Sequence, residues 1–156
     1  MVFRAELDAV DMKILRELQN EGRITNVELS ERVGISAPPC LRRVRKLEEA
    51  GVIRRYRAIL NAQSLGYDLV AFSMVGLVHQ SEANLKEFAA MTERWSIVRE
   101  AWMVSGETDF LLHCVAQNLG SFQDFVIDTL TAAQNVDTVR TMLTIRKVKD
   151  EGLVEV

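Results

Sequence analysis

The chain has two prolines, and they are adjacent: Pro38-Pro39, directly behind Ser36-Ala37. A proline has no amide proton and clashes with the preceding turn inside a helix, so a proline pair fits few places in a fold. One such place is the first turn of a helix, where the amides have no intrahelical partner. Ser36 is a good N-cap, so this stretch reads as the entry to a helix. Cys40, Val44 and Leu47 follow at i, i+4 and i+7, with Leu41 beside them, and Gly51 ends the helix. Upstream, Leu7, Val10, Ile14, Leu15 and Leu18 recur at spacings of three and four behind an Asp8 N-cap, with Asp11 in the first turn. Gly22 is expected to end that helix. Thr25 and Glu28 have capping-box spacing and open a second, shorter helix that carries Val27, Leu29 and Val33 and stops at Gly34. Two short helices joined by Gly34-Ile35-Ser36 have helix-turn-helix form, and Ser30 and Gly34 leave room for a close crossing. Val52 to Leu60 is β-branched and aromatic and reads as a strand or a short wing.

Charge gives this module a direction. The formal net charge is −3, yet residues 1–61 carry +3 and residues 62–156 carry −6. Residues 42–57 hold seven Arg or Lys against two Glu. A basic stripe on a solvated helix is common, and a three-helix module can serve other ends. Joined to a helix-turn-helix, however, the stripe reads as a nucleic-acid footprint. The third helix is then the recognition helix. Its leading residues Ser36, Ala37 and Pro38 approach base edges, and Arg42, Arg43, Arg45 and Lys46 line its polar side. Arg54, Arg55 and Arg57 reach backbone phosphates, contacts that position without specifying.

The domain boundaries expected are 1–60 for the DNA-binding module, 61–67 for a linker, and 68–156 for the rest. Asp68 to Val78 is a strand. Ser81 caps a helix bearing Leu85, Phe88, Ala89, Thr92 and Trp95. Ile97 to Val104 and Phe110 to Ala116 are strands around a Ser105-Gly106-Glu107-Thr108 turn. Ser121 opens a helix with Phe122, Phe125, Val126, Thr129 and Leu130, and Val136 to Val148 is a final strand. The order βαββαβ is that of a ferredoxin-like sandwich, with both helices on one sheet face. The fold class expected is therefore α+β, a winged helix-turn-helix followed by this sandwich. The other sheet face has no helix to cover it, and burial against a second copy gives an isologous dimer. A two-fold dimer also reads two half-sites on double-stranded DNA.

Several classes fall away. The longest uncharged apolar run, about Leu69 to Val78, is half a membrane span. The opening residues show no signal peptide, and Cys40 and Cys114 fit neither a disulfide framework nor a zinc site, so a reducing cytoplasm is expected. His79 and His113 lack paired carboxylates, so no metal is expected. No P-loop, nucleophile elbow or catalytic triad is present, and no catalytic residue is assigned.

Leu7-Asp8-Ala9-Val10-Asp11, Gly22-Arg23-Ile24-Thr25, Leu29 to Ser36, Pro39 to Val44 and Gly51-Val52-Ile53 together resemble the Lrp/AsnC family of feast/famine transcriptional regulators. The resemblance extends over nearly the whole chain. It implies dimerisation through the second domain, assembly to octamers, and an amino-acid effector held at contacts between dimers. The family's glycine and aspartate in the turn between the second and third strands fall here on Gly106 and Asp109. On that footing Asp109 accepts from the effector's ammonium and backbone amides near Gly106 bind its carboxylate. Met103, Val104 and Phe110 line the side-chain pocket, and Thr141 and Thr144 add hydroxyls from a neighbouring subunit. Gly-x-x-Asp is equally a good hairpin turn, and the spacing alone leaves both readings open. The alternatives are an effector-independent architectural DNA-binding protein and an acyl-phosphate hydrolase. The latter needs an anion loop and an Arg–Asn pair that Gly76 to Ser81 does not offer.

Overall fold

The computed structural model describes residues 6–149 and 154. The remaining positions, among them residues 1–5 of the stretch read for a targeting signal and the end of the range 68–156, lie outside the described residues. The chain forms two compact units, one built on residues up to Ile59 and one on Leu60–Val148. Val154 belongs with the first unit, where its carbonyl accepts from Gln19 Nε2 at 2.8 Å.

In the first unit, α1 (Ala9–Asn20), α2 (Asn26–Val33) and α3 (Ala37–Glu49) enclose Ile14, Leu29, Val33, Cys40 and Leu47. Each helix begins where its local chemistry says it should. Asp8 Oδ1 accepts from the amides of Val10 and Asp11, and Asp11 returns a carboxylate oxygen to the Asp8 amide. Thr25 and Glu28 close the same reciprocal box on α2. The first helix stops earlier than expected: Glu21 is its C-cap, bonded to the Glu17 carbonyl, and Gly22 falls in the turn beyond. Gly34 sits at φ +82°, a left-handed conformation in which its own amide and that of Ile35 both reach the Ser30 carbonyl. That double bond ends α2 and turns the chain toward α3 within three residues.

The expected strand at Val52–Leu60 does not form. Gly51 adopts φ +70°, and the amides of Val52 and Ile53 both bond the Leu47 carbonyl. Val52 and Ile53 then tuck against the helical core. From Arg54 onward the chain runs without regular structure. A strand needs a partner, and three arginines in four positions have no buried face to offer one.

The second unit begins with a single 3-10 turn, Gln63–Leu65, inside the expected linker. It continues with β1 (Leu69–Leu77), α4 (Glu82–Thr92), β2 (Val98–Met103), β3 (Phe110–Ala116), α5 (Leu119–Asp124) and β4 (Val136–Leu143). The sheet is antiparallel in the order β2-β3-β1-β4, the arrangement that βαββαβ requires. Strict alternation in β3 sends Phe110, Leu112, Cys114 and Ala116 to the helices and Leu111, His113 and Val115 to the open face. Phe88 lies against Phe110, with ring centroids 4.7 Å apart. Trp95 lies beyond the end of α4, yet still packs edge-on to Phe88 and Phe125. Asn118, three residues before the expected Ser121, caps α5, and Ser121 supplies the reciprocal bond. The helix then widens to a π turn over Phe125–Leu130. The final strand ends at Leu143, five residues sooner than its alternation predicts. The open face carries Phe72 stacked on His113, with Trp102 and Met142 about half exposed.

Candidate nucleic-acid interface

The recognition helix α3 buries Cys40 and Leu47 and turns its opposite side to solvent. Ser36 occupies the N-cap with extended backbone, but its hydroxyl makes no capping bond. The physical reason is the proline pair. A capping serine bonds the second or third helical amide, and those positions are Pro38 and Pro39. The first amide beyond the prolines, on Cys40, already bonds the Ser36 carbonyl at 3.2 Å. Ser36 and Pro38 are exposed, and Ala37 is half-buried. The Ala37 carbonyl accepts from Asn26 Nδ2 at 3.0 Å, which ties the entry of α3 to the entry of α2.

The arginines of α3 divide into two kinds. Arg42, Arg45 and Lys46 are exposed and line, with Pro38, Leu41 and Glu49, a shallow open depression of about 360 Å³ on the outer side of the helix. They make no ion pair among the described residues. Arg43 is different. Its Nη1 lies 2.7 Å from Asp8 and 2.7 Å from Asp11, so its guanidinium is spent on the entrance of α1. Asp11 is the first cause of its raised pKa and Asp8 the second. Asp8 in turn is held below the usual carboxylate range, first by the Asp11 amide and then by Arg43. Arg32 is likewise occupied, at 3.2 Å from Glu17 and 2.8 Å from Glu21.

Beyond Gly51, Arg54, Arg55 and Arg57 are exposed and unpaired among the described residues. Between them, Tyr56 donates its hydroxyl to Glu48 Oε1 on α3 at 3.0 Å. A Cβ added at Gly22 would stand 4.0 Å from a carbon of the Tyr56 ring. Partial burial, and then Glu48, push the phenol up to about 12, so it stays a donor at any physiological pH. The pairs Arg43–Asp11 and Tyr56–Glu48 were not read from the sequence. The one signal for the second is an aromatic residue lodged in a run of arginines.

In the second unit the Gly106 turn is built around Asp109. Its amide donates to the Val75 carbonyl and its own carbonyl accepts from Val104, each at 2.9 Å. Its Oδ2 accepts from the Leu77 amide at 2.7 Å. One carboxylate oxygen of the expected ammonium acceptor is therefore committed to β1. Gly106 is exposed with φ +128°, and Val104 is half-buried. Phe110 is 2% exposed and packs under α4. It shares a separate groove between α4 and β2 with Met103, Ala89, Thr92 and Val98. Thr141 and Thr144 lie along the opposite edge of the sheet, with β3 and β1 between them and β2. Their hydroxyls already meet Ser73 Oγ at 3.2 Å and the Val70 carbonyl at 2.9 Å. A pair absent from the sequence reading, Arg140–Glu107 at 3.6 Å, joins β4 to the turn. No group of three or more His, Cys, Asp or Glu gathers to hold a metal among the described residues. No helix among them is long and apolar enough to cross a membrane.

Two family models match the chain, one described as winged helix-turn-helix DNA-binding over residues 7–54, and one as the Lrp/AsnC ligand binding domain over residues 70–154. A leucine-responsive regulatory protein of Rhizobium meliloti (strain 1021) is 80% identical across 100% of both chains. Another from Escherichia coli (strain K12) is 37% identical over 94% of this chain and 90% of its own. Among solved structures, a transcriptional regulator from Neisseria meningitidis in complex with L-Met superposes with a TM-score of 0.91 at 39% identity, covering 96% of each chain. An AsnC family transcriptional regulator from Agrobacterium tumefaciens gives 0.90 at 29% identity, over 96% of this chain and 97% of its own.

Proposed function

The chain belongs to the Lrp/AsnC family of transcriptional regulators, and we propose that it acts as a cytoplasmic, non-enzymatic, amino-acid-responsive regulator whose dimer grips two half-sites of a pseudo-palindromic operator. The observation that carries this reading is the separation of cations on the recognition helix. Arg43 and the neighbouring Arg32 are consumed by carboxylates, while Arg42, Arg45 and Lys46 stand outward and unpaired, with Arg54, Arg55 and Arg57 continuing the row. An unpaired guanidinium beside an exposed helix entry is what bidentate recognition of guanine or phosphate needs. Ser36, with its hydroxyl free, and Ala37 and Pro38 lead the helix into the groove. The open sheet face of Phe72, His113, Trp102 and Met142 joins the two copies, and further assembly to an octamer brings the Gly106 turns of neighbouring dimers together. An amino acid then sits at Val104, Gly106 and the remaining oxygen of Asp109, with Met103 near and Thr141 and Thr144 contributed by another subunit.

The test is selection of duplexes from a randomised pool, followed by titration of the enriched duplex against Arg42→Ala and Arg45→Ala. Each substitution is expected to cost about 1–3 kcal/mol if it removes a base contact, and affinity is expected to fall steeply with salt. Wild-type affinity in both variants overturns the assignment of this helix face.

A second reading, an architectural DNA-binding protein without an effector, draws on one observation. Asp109 Oδ2 and the hydroxyls of Thr141 and Thr144 all have partners within the chain. Calorimetric titration with a panel of amino acids separates the two: heat from at least one supports the effector-responsive form, and silence from all at millimolar concentration supports the second.

A further inference from the structure

The geometry points to Tyr56 as the positioning residue of a strandless phosphate-binding arm, residues 54–57, which it latches to the recognition helix through Glu48. This deepens the DNA-binding reading and rests on it.

The arm lacks the means by which a wing is normally held. No strand forms between Gly51 and Leu60, so no ladder of backbone bonds fixes the direction of the three arginines. Among the described residues, the last backbone anchor before the arm is the Ile53 amide on the Leu47 carbonyl, at 3.1 Å. Beyond it a chain with no lateral bonds wanders, and ordering it on a phosphate costs conformational entropy at each residue. Tyr56 supplies an anchor at the point where the arginines need it. Its hydroxyl reaches Glu48, the penultimate residue of α3, and its ring stands beside Gly22 in the turn between α1 and α2, where only an added Cβ would meet it at 4.0 Å. Arg55 and Arg57 flank it directly and Arg54 is two residues away. The latch therefore references the arm to the recognition helix and also to the helix pair that carries it. It has a second effect: the Glu48 carboxylate, on a helix meant to approach phosphates, is turned into a hydrogen bond with the protein.

Tyr56→Phe keeps the ring and removes only the hydroxyl. On the duplex enriched by the wild-type protein, it is expected to weaken binding about 3- to 10-fold, the range of one net hydrogen bond. The slope of log affinity against log salt is expected to become shallower by about one, the equivalent of one phosphate contact. In an Arg54→Ala/Arg55→Ala/Arg57→Ala background the same substitution is expected to have no further effect on either quantity. A residue that merely stabilised the fold would leave the salt slope alone and would act equally in both backgrounds. A Tyr56→Phe protein that matches wild type in affinity and slope overturns the proposal, as does an equal loss in the arginine-free background. Glu48→Gln and Glu48→Ala give an independent reading, because both remove the charge but only glutamine keeps an oxygen for Tyr56. The glutamine variant is expected to bind more tightly and with the steeper slope, and equality of the two sinks the idea. If the wild-type protein enriches no duplex at all, the DNA-binding reading fails. If it enriches one and Tyr56→Phe is inert, only the latch fails.

Discussion

Arg43 Nη1 and Asp11 Oδ1 are 2.7 Å apart, and this contact joins the recognition helix to the third residue of α1. The Asp11 side chain is only 9% exposed, so the guanidinium neutralises a carboxylate that water barely reaches. A basic residue in the middle of a DNA-reading helix thus does its work on the inner side, fixing how that helix is carried.

Arg43→Ala is therefore expected to lower the thermal unfolding midpoint by several degrees, because it leaves the nearly buried Asp11 carboxylate with no cation beside it. Arg42→Ala is expected to leave the midpoint where it is and to act on DNA affinity. Calorimetry and fluorescence anisotropy on both variants check the division. An unchanged midpoint for Arg43→Ala, together with an affinity loss equal to that of Arg42→Ala, would place Arg43 back at the DNA.

The same cluster makes the first unit sensitive to acid. The folded-state pKa of Asp8 is depressed by the Asp11 amide and by Arg43 below its ordinary value of 3.8. A depressed carboxylate contributes stability that is complete above the ordinary value and disappears as pH falls through the depressed one. Asp8→Asn keeps the capping oxygen but cannot titrate. Wild type is expected to lose its stability advantage over Asp8→Asn between about pH 5 and pH 2. Helical circular dichroism during urea unfolding at several pH values measures it, and a constant difference across that range counts against the assignment.

Asp109 is expected to hold the end of β1 whether or not an effector is present. Asp109→Ala strands the amide of Leu77, a residue 3% exposed, at a cost of about 1–3 kcal/mol. Asp109→Asn retains an oxygen for that amide and costs less. Trp95 and Trp102 are the two tryptophans of the chain and both lie in the second unit, so indole fluorescence follows its unfolding alone. If alanine and asparagine unfold at the same denaturant concentration, the bond to Leu77 carries no weight.

Both thiols are expected to be silent in the folded protein. Burial pushes Cys114 up to about 11, against the opposing pull of its hydrogen bond with Ser73, and Cys40 is raised by burial too. The thiolate is the reactive form, so a disulfide reagent near pH 8 should label neither cysteine until denaturant is added. Rapid labelling of the native protein would show that one of the two packed regions opens readily.

How much of this was readable from the residues depended on the range of the interaction. Thr25 with Glu28, Asp8 with Asp11, and the Gly34 turn are local, and their spacing alone fixes what they do. The alternation of Phe110 to Ala116 specified which face of β3 is buried for the same reason. The pairing of Arg43 is not legible in the sequence because Asp8 and Asp11 lie 35 and 32 positions away, and only the crossing of α3 over α1 brings them within reach. Val52–Leu60 has a strand's composition, but composition cannot supply a neighbouring strand. Asn118 and Ser121 are both competent caps, and the reciprocal bond between them decides in favour of the earlier one. On the effector side, Gly106 and Asp109 do share one turn. Phe110 faces the helices, as the pleat of β3 requires, and shares a groove there with Met103.

The paired pyrrolidine rings at the tip of α3 have one more consequence. A helix tip entering a groove must shed the water bound to its unsatisfied amides, and each donor left without a new acceptor is a dehydration penalty. Pro38 and Pro39 carry no such donors, and Cys40 has already satisfied its own. In the proposed complex, Ala37 alone of the first three helical residues brings an amide donor to dehydrate, and the discrimination of sequence passes to the side chains behind it.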